Sequence, residues 1–464
     1  MRRKAQTAEG PAVDIARLLD DGPWTNFQTF VVVLAALTIV ADGFDGQLIG
    51  FAIPSIIKEW GVSRGDFASV VAAGLVGMGI GSACAGLLAD RAGRRLAVIG
   101  SIFLFSIATC AIGFSHDMLM IAVLRFVAGV GIGGALPTST TVTAEYTPAR
   151  VRTMAITATI VCVPLGGMLA GFFAGYVLPQ FGWRGLFWIG GLIPLVLTLA
   201  LVLWLPESPR FLAHRPHRWA ELVRLLGRMS RPVATDSAFV DSREVDSGET
   251  PGLKALFQQG RARDTSALWF ACFACLLAVY SAFSWLPTML TNEGLSPIVA
   301  VSGLTAYNFG GVVGALFCAA AISRFGSRWP LALFSAGGAL SAFLLVGMDP
   351  RTNTTMLIVG VGVHGLFVTT VQCIIYSLCA HVYPTHIRAT GTAATLAIGR
   401  LGAILSAFAG AAVITAGGAS AYFMMLGVSM VCVLIGLWSV KAQILPVRRV
   451  SDEMNRAPQA MMKP

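Results

Sequence analysis

The sequence predicts an all-α polytopic membrane protein with twelve transmembrane helices in two six-helix halves. Of its 464 residues, 56% are hydrophobic and 12% are charged, whereas about 25% of the residues of an average soluble protein are charged. Apolar runs of about 18 residues or more, each long enough to cross a bilayer, recur along the whole chain. A polar stretch at 206–264 divides these runs into two sets of six.

The predicted spans follow the apolar runs in chain order. They are 27–57, 66–89, 95–114, 117–145, 152–178 and 183–205 in the first half, and 266–292, 297–322, 329–348, 354–383, 388–416 and 419–440 in the second. The domain limits that follow are an N-terminal tail at 1–26, a first bundle at 27–205, a linker at 206–264, a second bundle at 265–440 and a C-terminal tail at 441–464. We expect both tails and the linker, which are polar, to lie outside the membrane.

The 33 Lys and Arg residues are distributed unevenly between the two sides of this arrangement. Four lie in connections on the side away from the tails (Lys58, Arg64, Arg184 and Arg351), two lie within spans (Arg125 and Arg400), and the rest lie on the side of the tails. Under the positive-inside rule this bias predicts a multi-pass inner-membrane protein with both termini in the cytoplasm. It also accounts for the net charge of +10 without a nucleic-acid partner.

Two acidic residues, Asp42 and Asp45, stand three residues apart within the first span and therefore share one face of a helix. At about 1.5 Å per residue they lie roughly 22 and 27 Å into the span, inside a hydrocarbon layer about 30 Å thick. Each Asp at mid-membrane costs at least about 2.5 kcal/mol. We therefore predict that these residues carry protons; the alternative is a pair that only hydrogen-bonds neighbouring helices.

Two arginines also lie within predicted spans. Arg125 follows Asp117 by eight residues, which places it about 12 Å into its span, at a depth similar to that of Asp45. These two residues could form a permanent ion pair or a pair whose carboxylate exchanges protons. Arg400 lies about 18 Å into its span, and its planar fork matches a carboxylate through two hydrogen bonds. We expect both arginines to contribute to substrate binding, although Arg400 could instead pair with polar groups on neighbouring helices.

Polar and aromatic residues within the second half are candidates for lining a substrate site. An aromatic face can stack on a ring, and a hydroxyl or amide can read a ring substituent. Each of these residues could instead serve only in packing. The candidates are Tyr280, Trp285, Tyr307, Asn308, His364, Gln372 and Tyr376.

Two basic turns recur in register in the two halves, which indicates an internal repeat. Asp-Arg-Ala-Gly-Arg-Arg at 90–95 follows the second span, and Ser-Arg-Phe-Gly-Ser-Arg at 323–328 follows the eighth, offset by 233 residues. Tyr-Thr-Pro at 146–148, with Arg152 beyond it, corresponds to Tyr-Pro at 383–384 with Arg388 beyond it, offset by 236. The two halves are therefore predicted to be pseudo-symmetric.

The segment 86–95, Gly-Leu-Leu-Ala-Asp-Arg-Ala-Gly-Arg-Arg, closely resembles the signature loop between spans 2 and 3 of the major facilitator superfamily. Pro-Glu-Ser-Pro-Arg at 206–210 is similar to a second mark of that superfamily, and Asp-Gly-Phe-Asp at 42–45 resembles the mark of its aromatic acid:proton symporters, the 4-hydroxybenzoate/protocatechuate type. The resemblance implies the superfamily fold and proton-coupled uptake of an aromatic carboxylate for catabolism, by a monomer in the bilayer and without a cofactor. It also implies that Asp42, Asp45 and Arg125 are needed for transport.

The basic loops are predicted to close the cytoplasmic side. In 90–95 the glycine allows a tight turn, and the charged residues can form salt bridges with the end of the fourth span; for Arg94 and Arg95 plain anchoring by positive charge is the alternative. The expected gate residues are Gly86, Asp90, Arg91, Gly93, Arg94, Arg95, Glu145, Arg152 and Arg388. Ser323 departs from the family pattern, which often has an acidic residue there, so we expect a weaker gate in the second half.

Other functions stay open on the sequence alone. Import of a muconate-like dicarboxylate or a phenylpropionate would use the same groups. Drug export is disfavoured because Val-Pro-Leu-Gly-Gly at 163–167 has only part of the glycine pattern of proton-driven exporters. A membrane sensor of aromatic acids would need a signalling domain, for which the linker is short and polar. An enzyme is disfavoured because no phosphate-binding loop, metal-ligand cluster or nucleophile–base spacing stands out.

Overall fold

The computed structural model describes residues 12–234, 237–242, 253–258, 260–384 and 387–444. Strand β1 (Ala12–Asp14) and helix α1 (Ile15–Asp21) precede a first bundle made of α2 (Asn26–Trp60), α3 (Arg64–Ala92), α4 (Arg94–Ile112), α5 (Met118–Tyr146) and α6 (Ala149–Trp204). The linker contains α7 (Pro209–Ala213), a 3₁₀ turn (Pro216–Arg218), α8 (Trp219–Arg228), β2 (Ala238–Val240) and a second 3₁₀ turn (Leu253–Phe257). The second bundle consists of α9 (Ala262–Asn292), α10 (Pro297–Phe325), α11 (Arg328–Val346), α12 (Thr354–Val382) and α13 (Arg388–Ser439).

Ten helices in the described ranges are long and apolar enough to span a membrane, and two of them are double. Helix α6 has 56 residues, a length of about 84 Å, which far exceeds one hydrocarbon layer of about 30 Å. Its backbone leaves the helical region at Gly182 (φ 64°, ψ −172°), and α13 leaves it at Gly417 and at Gly418 (φ 58°, ψ −144°). Each break lets the chain reverse direction, because glycine adopts positive φ without a steric penalty. The described part of the chain therefore contains twelve spans, and the predicted all-α polytopic fold is confirmed.

The two bundles repeat the same backbone features at the offsets found in the sequence. Positive φ angles occur at Gly61 and Gly93 in the first bundle and at Gly294 and Gly326 in the second. The breaks in α6 and α13 correspond as well. The internal repeat is thus visible in the conformation of the turns, not only in their composition.

The two bundles face each other mainly through three pairs of helices, α2 with α9, α3 with α13 and α6 with α10. Between α2 and α9, Gly50 lies so near the carbonyl oxygen of Phe283 that a Cβ would overlap it. Small residues allow this close approach of backbones, as is typical of membrane helices. The interior between the bundles is therefore narrow, and the polar side chains in it lie close together.

The tail and the linker lie against one end of the first bundle, which we call the linker end; the opposite end, where α2 ends and α3 begins, is the far end. β1 pairs in parallel with β2. Arg152, near the start of α6, forms an ion pair with Asp20, near the end of α1. α8 buries Leu222 and Leu226 in the apolar core of this region. These contacts attach the described part of the linker to the first bundle.

Candidate functional site

Asp45 and Arg125 form a buried pair inside the first bundle. α2 carries Asp45, α5 carries Arg125, and both side chains are almost entirely buried. Arg125 Nη1 lies 4.0 Å from Asp45 Oδ2, which is close enough for attraction between opposite charges but too long for a good hydrogen bond. Among the described residues neither carboxylate oxygen of Asp45 has a hydrogen-bond partner of good geometry, and the Thr109 hydroxyl lies beside the carboxylate. The ion pair with Arg125 therefore does not use the hydrogen-bonding capacity of Asp45.

Asp42, one turn before Asp45 on α2, lies at the interface with the second bundle. Its buried side chain lines a cavity between the bundles, and its charge interacts with that of Arg400 on α13. Its Oδ1 atom has no hydrogen-bond partner in the described part of the chain. The two acids of the 42–45 motif thus face different cations: Asp45 faces Arg125 of its own bundle, and Asp42 faces Arg400 of the other bundle.

Arg400 is held by aromatic and polar residues of the second bundle. Its Nη1 atom donates a hydrogen bond of 2.7 Å to Tyr280 Oη, and its guanidinium carbon lies 5.7 Å from the centroid of the same ring. The same nitrogen lies 4.0 Å from Met78 Sδ, across the interface on α3. Gln372 donates a 3.2 Å hydrogen bond to Tyr376 Oη, and Tyr376 lies near Tyr280 and Arg400. The structure therefore brings four of the residues predicted from the sequence into one cluster.

A cavity at the interface connects these two groups of charged residues. Its lining residues are Asp42, Gly43, Gly46, Gln47, Ile49, Val71, Gly74, Leu75, Met78, Arg125, Ile132, Val163, Tyr280, Phe283 and Ser284. Its volume is about 50 Å³, and one water molecule needs about 10–15 Å³ by the same measure. The cavity therefore has room for a few water molecules, and the bundles must move apart before a larger molecule can enter.

Three of the predicted lining residues lie in the interior of the second bundle and not at this cavity. Trp285 is fully buried against α13. Tyr307 lies between Phe283 and His364, with ring centroids 6.0 and 6.1 Å away. His364 Nδ1 is 3.0 Å from Ser341 Oγ. These residues shape the second bundle around the site, and Tyr307 packs on Phe283, which lines the cavity.

At the linker end, three residues of the predicted gate form a chain of ion pairs. Arg94 lies 3.0 Å from Asp90 and 3.5 Å from Glu145. Beside them, Glu207 Oε1 accepts hydrogen bonds from the backbone N–H groups of Arg94 (2.9 Å) and Arg95 (3.1 Å), at the first turn of α4. A carboxylate at this position satisfies free N–H groups and stabilises the positive end of the helix dipole. We call Asp90, Arg94, Glu145 and Glu207 the charge cluster.

Three further gate residues lie around the charge cluster with different contacts. Gly93 has a φ of 107°, and a Cβ there would overlap the carboxylate of Glu207. The carbonyl oxygen of Arg91 accepts a 2.7 Å hydrogen bond from Arg215 of the linker. Gly86 has open space where a Cβ would be. Of the three, Gly93 is thus the one whose missing side chain makes the cluster geometrically feasible.

Arg152 and Arg388 make equivalent contacts in the two bundles. Arg152 donates a 2.8 Å hydrogen bond to the carbonyl oxygen of Thr147, and Arg388 donates one of 3.3 Å to the carbonyl oxygen of Tyr383. Each arginine thus closes the turn that precedes its own helix. This backbone contact is in register with the repeat predicted from the basic turns.

Sequence reasoning does not single out Gln47 or Glu207. Gln47 exchanges two hydrogen bonds with Asn308, 261 residues away, and Glu207 bonds the start of α4, more than a hundred residues before it. Both residues lie in or beside conspicuous motifs, the 42–45 acids and the 206–210 segment. Their partners are distant in the chain, so no spacing in the sequence indicates them.

Comparison with known proteins agrees with this architecture over nearly the whole chain. A model of the Major Facilitator Superfamily matches residues 35–407 and 268–459. The gallate transporter of Pseudomonas putida is 34% identical over 427 residues, covering 92% of each chain. The 4-hydroxybenzoate transporter PcaK of the same organism is 33% identical over 415 residues, covering 89% of this chain and 92% of its own.

A solved structure supports the fold. The inward-open conformation of the xylose transporter XylE from E. coli superposes with a TM-score of 0.71, covering 92% of this chain and 99% of XylE, at 17% identity. At that identity the likeness concerns the fold alone. With the family match and the two relatives it leads to one conclusion: the chain belongs to the Major Facilitator Superfamily, in the group that includes the gallate and 4-hydroxybenzoate transporters.

Proposed function

We propose that this protein imports an aromatic carboxylate, such as a hydroxybenzoate, together with protons, by alternating access between its two bundles. The observation that carries this proposal is the central cavity between the bundles: Asp42 lines it from the first bundle, and Tyr280, which accepts a 2.7 Å hydrogen bond from Arg400, lines it from the second. The substrates in the names of the two relatives, gallate and 4-hydroxybenzoate, are both hydroxylated aromatic carboxylates and are consistent with it.

In this mechanism the substrate carboxylate and the carboxylate of Asp42 compete for Arg400. While Asp42 is ionised, it neutralises Arg400 within the protein. When Asp42 takes up a proton, Arg400 loses this counter-charge, and a substrate carboxylate can replace it through two hydrogen bonds. Protonation therefore favours substrate binding, which is the coupling that symport requires.

Asp45 supplies a second protonation site. A monoanion that enters with one proton moves no net charge, whereas a monoanion with two protons moves one positive charge. Moving that charge down an inside-negative potential releases about 2.3 kcal/mol per 100 mV. The 4.0 Å separation from Arg125 and the unused carboxylate oxygens support Asp45 as this second carrier.

The substrate ring would lie against the aromatic wall that Tyr280 and Phe283 form in the cavity. Gln372 and Tyr376 would hold the surroundings of Arg400, since they are hydrogen-bonded to each other and Tyr376 lies near Arg400. The site then combines a fixed cation, an apolar wall and a few polar groups, as small-molecule sites do.

We place the protein in the inner membrane as a monomer, with the linker end and both termini in the cytoplasm, by the positive-inside rule. At the far end Arg64 donates a hydrogen bond to Asn292 across the interface, and nearer the cavity Gly50 packs on Phe283. This arrangement supports a conformation closed to the outside. Transport would alternate it with one in which the far end opens and the basic loops of the linker end close.

The test is uptake of radiolabelled 4-hydroxybenzoate by proteoliposomes under an imposed inward pH gradient. Asp42→Asn and Asp45→Asn each remove a charge with little change in size, and each should abolish accumulation against the substrate gradient. Asp349→Asn is the control, because this exposed acid lies in the loop between α11 and α12; it should accumulate substrate like the wild type.

Three outcomes would contradict parts of the proposal. Full uphill uptake by Asp42→Asn would remove this residue from proton coupling. Concentrative uptake that survives collapse of both the pH difference and the voltage would exclude proton coupling altogether. In a panel of benzoates, phenylpropionates and aliphatic diacids, transport of a class other than the benzoates would reassign the substrate.

A further inference from the structure

Gln47 and Asn308 form a reciprocal hydrogen-bonded pair that joins the two bundles. Gln47 Nε2 donates to Asn308 Oδ1 (2.9 Å), and Asn308 Nδ2 donates to Gln47 Oε1 (2.7 Å). The side chains are 2% and 0% exposed. Gly167 on α6 makes room for the pair, because a Cβ there would overlap the Gln47 amide and lie 2.7 Å from Asn308 Oδ1. A buried pair of neutral amides that fits the space beside a glycine favours a single arrangement of the helices that carry it.

The two amides differ in how much of their hydrogen-bonding capacity they use. Asn308 donates its second N–H to the carbonyl oxygen of Leu304 (2.9 Å), so both of its donors are occupied. Gln47 has one further N–H and one further lone pair, and within the described ranges its hydrogen bonds are those to Asn308. Gln47 also lines the central cavity, and Asn308 does not. The remaining donor and acceptor of Gln47 are therefore available to a molecule in the cavity.

Gln47 lies at the far-end side of the cavity, and Arg400 lies toward the linker end. Gln47 follows Asp42, the partner of Arg400, by five residues, about 7.5 Å along α2 toward the far end. Tyr280 and Phe283, with ring centroids 5.8 Å apart, form one wall between these two positions. An aromatic acid whose carboxylate is bound by Arg400 would extend along this wall, and a hydroxyl at the other end of its ring would meet Gln47.

We propose that Gln47 reads a ring hydroxyl of the substrate and that Asn308 is the positioning residue that orients Gln47 from the opposite bundle. This assignment rests on the proposed function and names the group that separates hydroxylated from unsubstituted benzoates. A hydroxyl both donates and accepts a hydrogen bond, and so does the unused part of the Gln47 amide. A site built to bond a substrate hydroxyl rejects the analogue that lacks it, because the polar groups of the site are then left unpaired. Since Asn308 belongs to the other bundle, Gln47 is oriented in this way only while the bundles are together at this level.

The experiment compares uptake of labelled 4-hydroxybenzoate and labelled benzoate by proteoliposomes that contain the full chain. Gln47→Met keeps the length of the side chain and removes the amide. We expect kcat/KM for 4-hydroxybenzoate to fall roughly 10–100-fold and that for benzoate to change by less than about 3-fold. Asn308→Leu should reduce the ratio of kcat/KM for 4-hydroxybenzoate to kcat/KM for benzoate, but by a smaller factor than Gln47→Met does. The exchange of Gln47→Asn with Asn308→Gln, which keeps one amide on each helix, should restore part of the ratio.

Gln28→Met is the matched control. Gln28 is a fully buried glutamine on the same helix, bonded to the carbonyl oxygen of Tyr146 (2.7 Å) and outside the cavity, so its loss should leave the ratio unchanged. If Gln47→Met does not fold, Gln47→Asn gives the same comparison by withdrawing the amide by one methylene.

Two results from folded Gln47→Met would overturn the assignment. Equal losses of kcat/KM for both acids would make Gln47 a structural contact between the bundles, and wild-type kcat/KM for both acids would remove it from substrate recognition. Wild-type protein that takes up neither acid would overturn the proposed function, and this assignment with it. A selective loss for 4-hydroxybenzoate supports both.

Discussion

The first bundle carries acidic residues in the interior of its spans, at Asp42 and Asp45, whereas between 262 and 439 the second bundle has acids only at helix ends and in loops, at Asp264, Glu293 and Asp349. Where the first bundle has carboxylates, the second has a cluster of polar and aromatic side chains around Arg400. The backbones of the two bundles nevertheless repeat one another. Under the proposed function, one scaffold is used twice, once to carry protons and once to anchor the anion.

The same contrast recurs at the linker end. Glu207 accepts hydrogen bonds from the backbone at the start of α4. At the equivalent place in the second bundle, Ser327 Oγ donates to Gln443 Oε1 (2.6 Å) just before α11. The contact occupies the same position in the repeat, but a neutral amide replaces the carboxylate. The side chain of Ser323 lies outside the described residues, so the weaker gate expected for the second bundle stays a prediction.

The largest effect is expected from removing Arg125, the buried cation of the first bundle, because the second bundle has no equivalent ion pair within its described spans. In Arg125→Leu, Asp45 becomes a buried charge without its partner, and breaking a buried ion pair in this way costs about 3–5 kcal/mol. We expect a large loss of thermal stability in detergent, measured as the temperature at which half of the monodisperse protein is lost on heating.

The double variant with Arg125→Leu and Asp45→Asn is the control for this prediction. It removes both charges, so no unpaired charge stays buried, and much of the lost stability should return although transport stays absent. If stability does not return, then Arg125 stabilises the bundle through the packing of its side chain and not through its charge.

A substitution in the second bundle sharpens the contrast, because it should affect binding more than stability. Arg400→Lys keeps the charge and loses the planar fork. Loss of one hydrogen bond between charged groups, about 1.5–3 kcal/mol, should raise the Kd of 4-hydroxybenzoate roughly 10–150-fold in isothermal titration calorimetry. Arg351→Lys, an exposed residue of a far-end loop, should leave the Kd unchanged. An unchanged Kd in Arg400→Lys would exclude Arg400 as the anchor.

The spans, the acidic pair and the basic turns can be predicted from the sequence because each leaves a local mark. A long apolar run, two charges within it and a glycine between basic residues can all be recognised without knowing which helices touch. Because the basic turns recur in the second half, the repeat supports their assignment independently. These features are sufficient for the twelve-span fold and for naming Asp42, Asp45, Arg125 and Arg400 as candidates.

The side of each helix that faces the cavity cannot be predicted in the same way. Lipid tails are as apolar as a protein interior, so a membrane helix need not have a polar face opposite its buried one. Ser284 lines the cavity and Trp285, about 100° further round the helix, is buried in the second bundle. The partners of Gln47 and Glu207 are likewise determined by the packing of helices far apart in the chain.

The smallest effect is expected from a substitution that makes the Glu207 contact of the first bundle resemble the Gln443 contact of the second. Glu207→Gln gives the first bundle the neutral amide that the second has at Gln443. The N–H groups of Arg94 and Arg95 would keep an acceptor oxygen but lose its charge, and an anion at a helix N-terminus contributes about 0.3–1 kcal/mol, up to about 2 kcal/mol where partly buried. We expect the thermal midpoint in detergent to fall by about 2–4 °C, with the Kd of 4-hydroxybenzoate unchanged.

The reciprocal change, Gln443→Glu, introduces a carboxylate beside the first turn of α11, where it would keep the Ser327 hydroxyl as a donor and gain the attraction of the helix dipole, about 0.3–1 kcal/mol. It would also lose the hydrogen bond that Gln443 Nε2 donates to the carbonyl oxygen of Val440 (3.0 Å), about 0.5–1.5 kcal/mol. The two effects oppose each other, so stability should fall by less than about 1 kcal/mol. Equal losses in both variants would mean that local packing, not charge, selects the residue at each position. If Glu207→Gln instead lost most of its uptake while its thermal midpoint stayed unchanged, the charge of Glu207 would act in the transport cycle, and the charge cluster would be a gate carried by the first bundle alone.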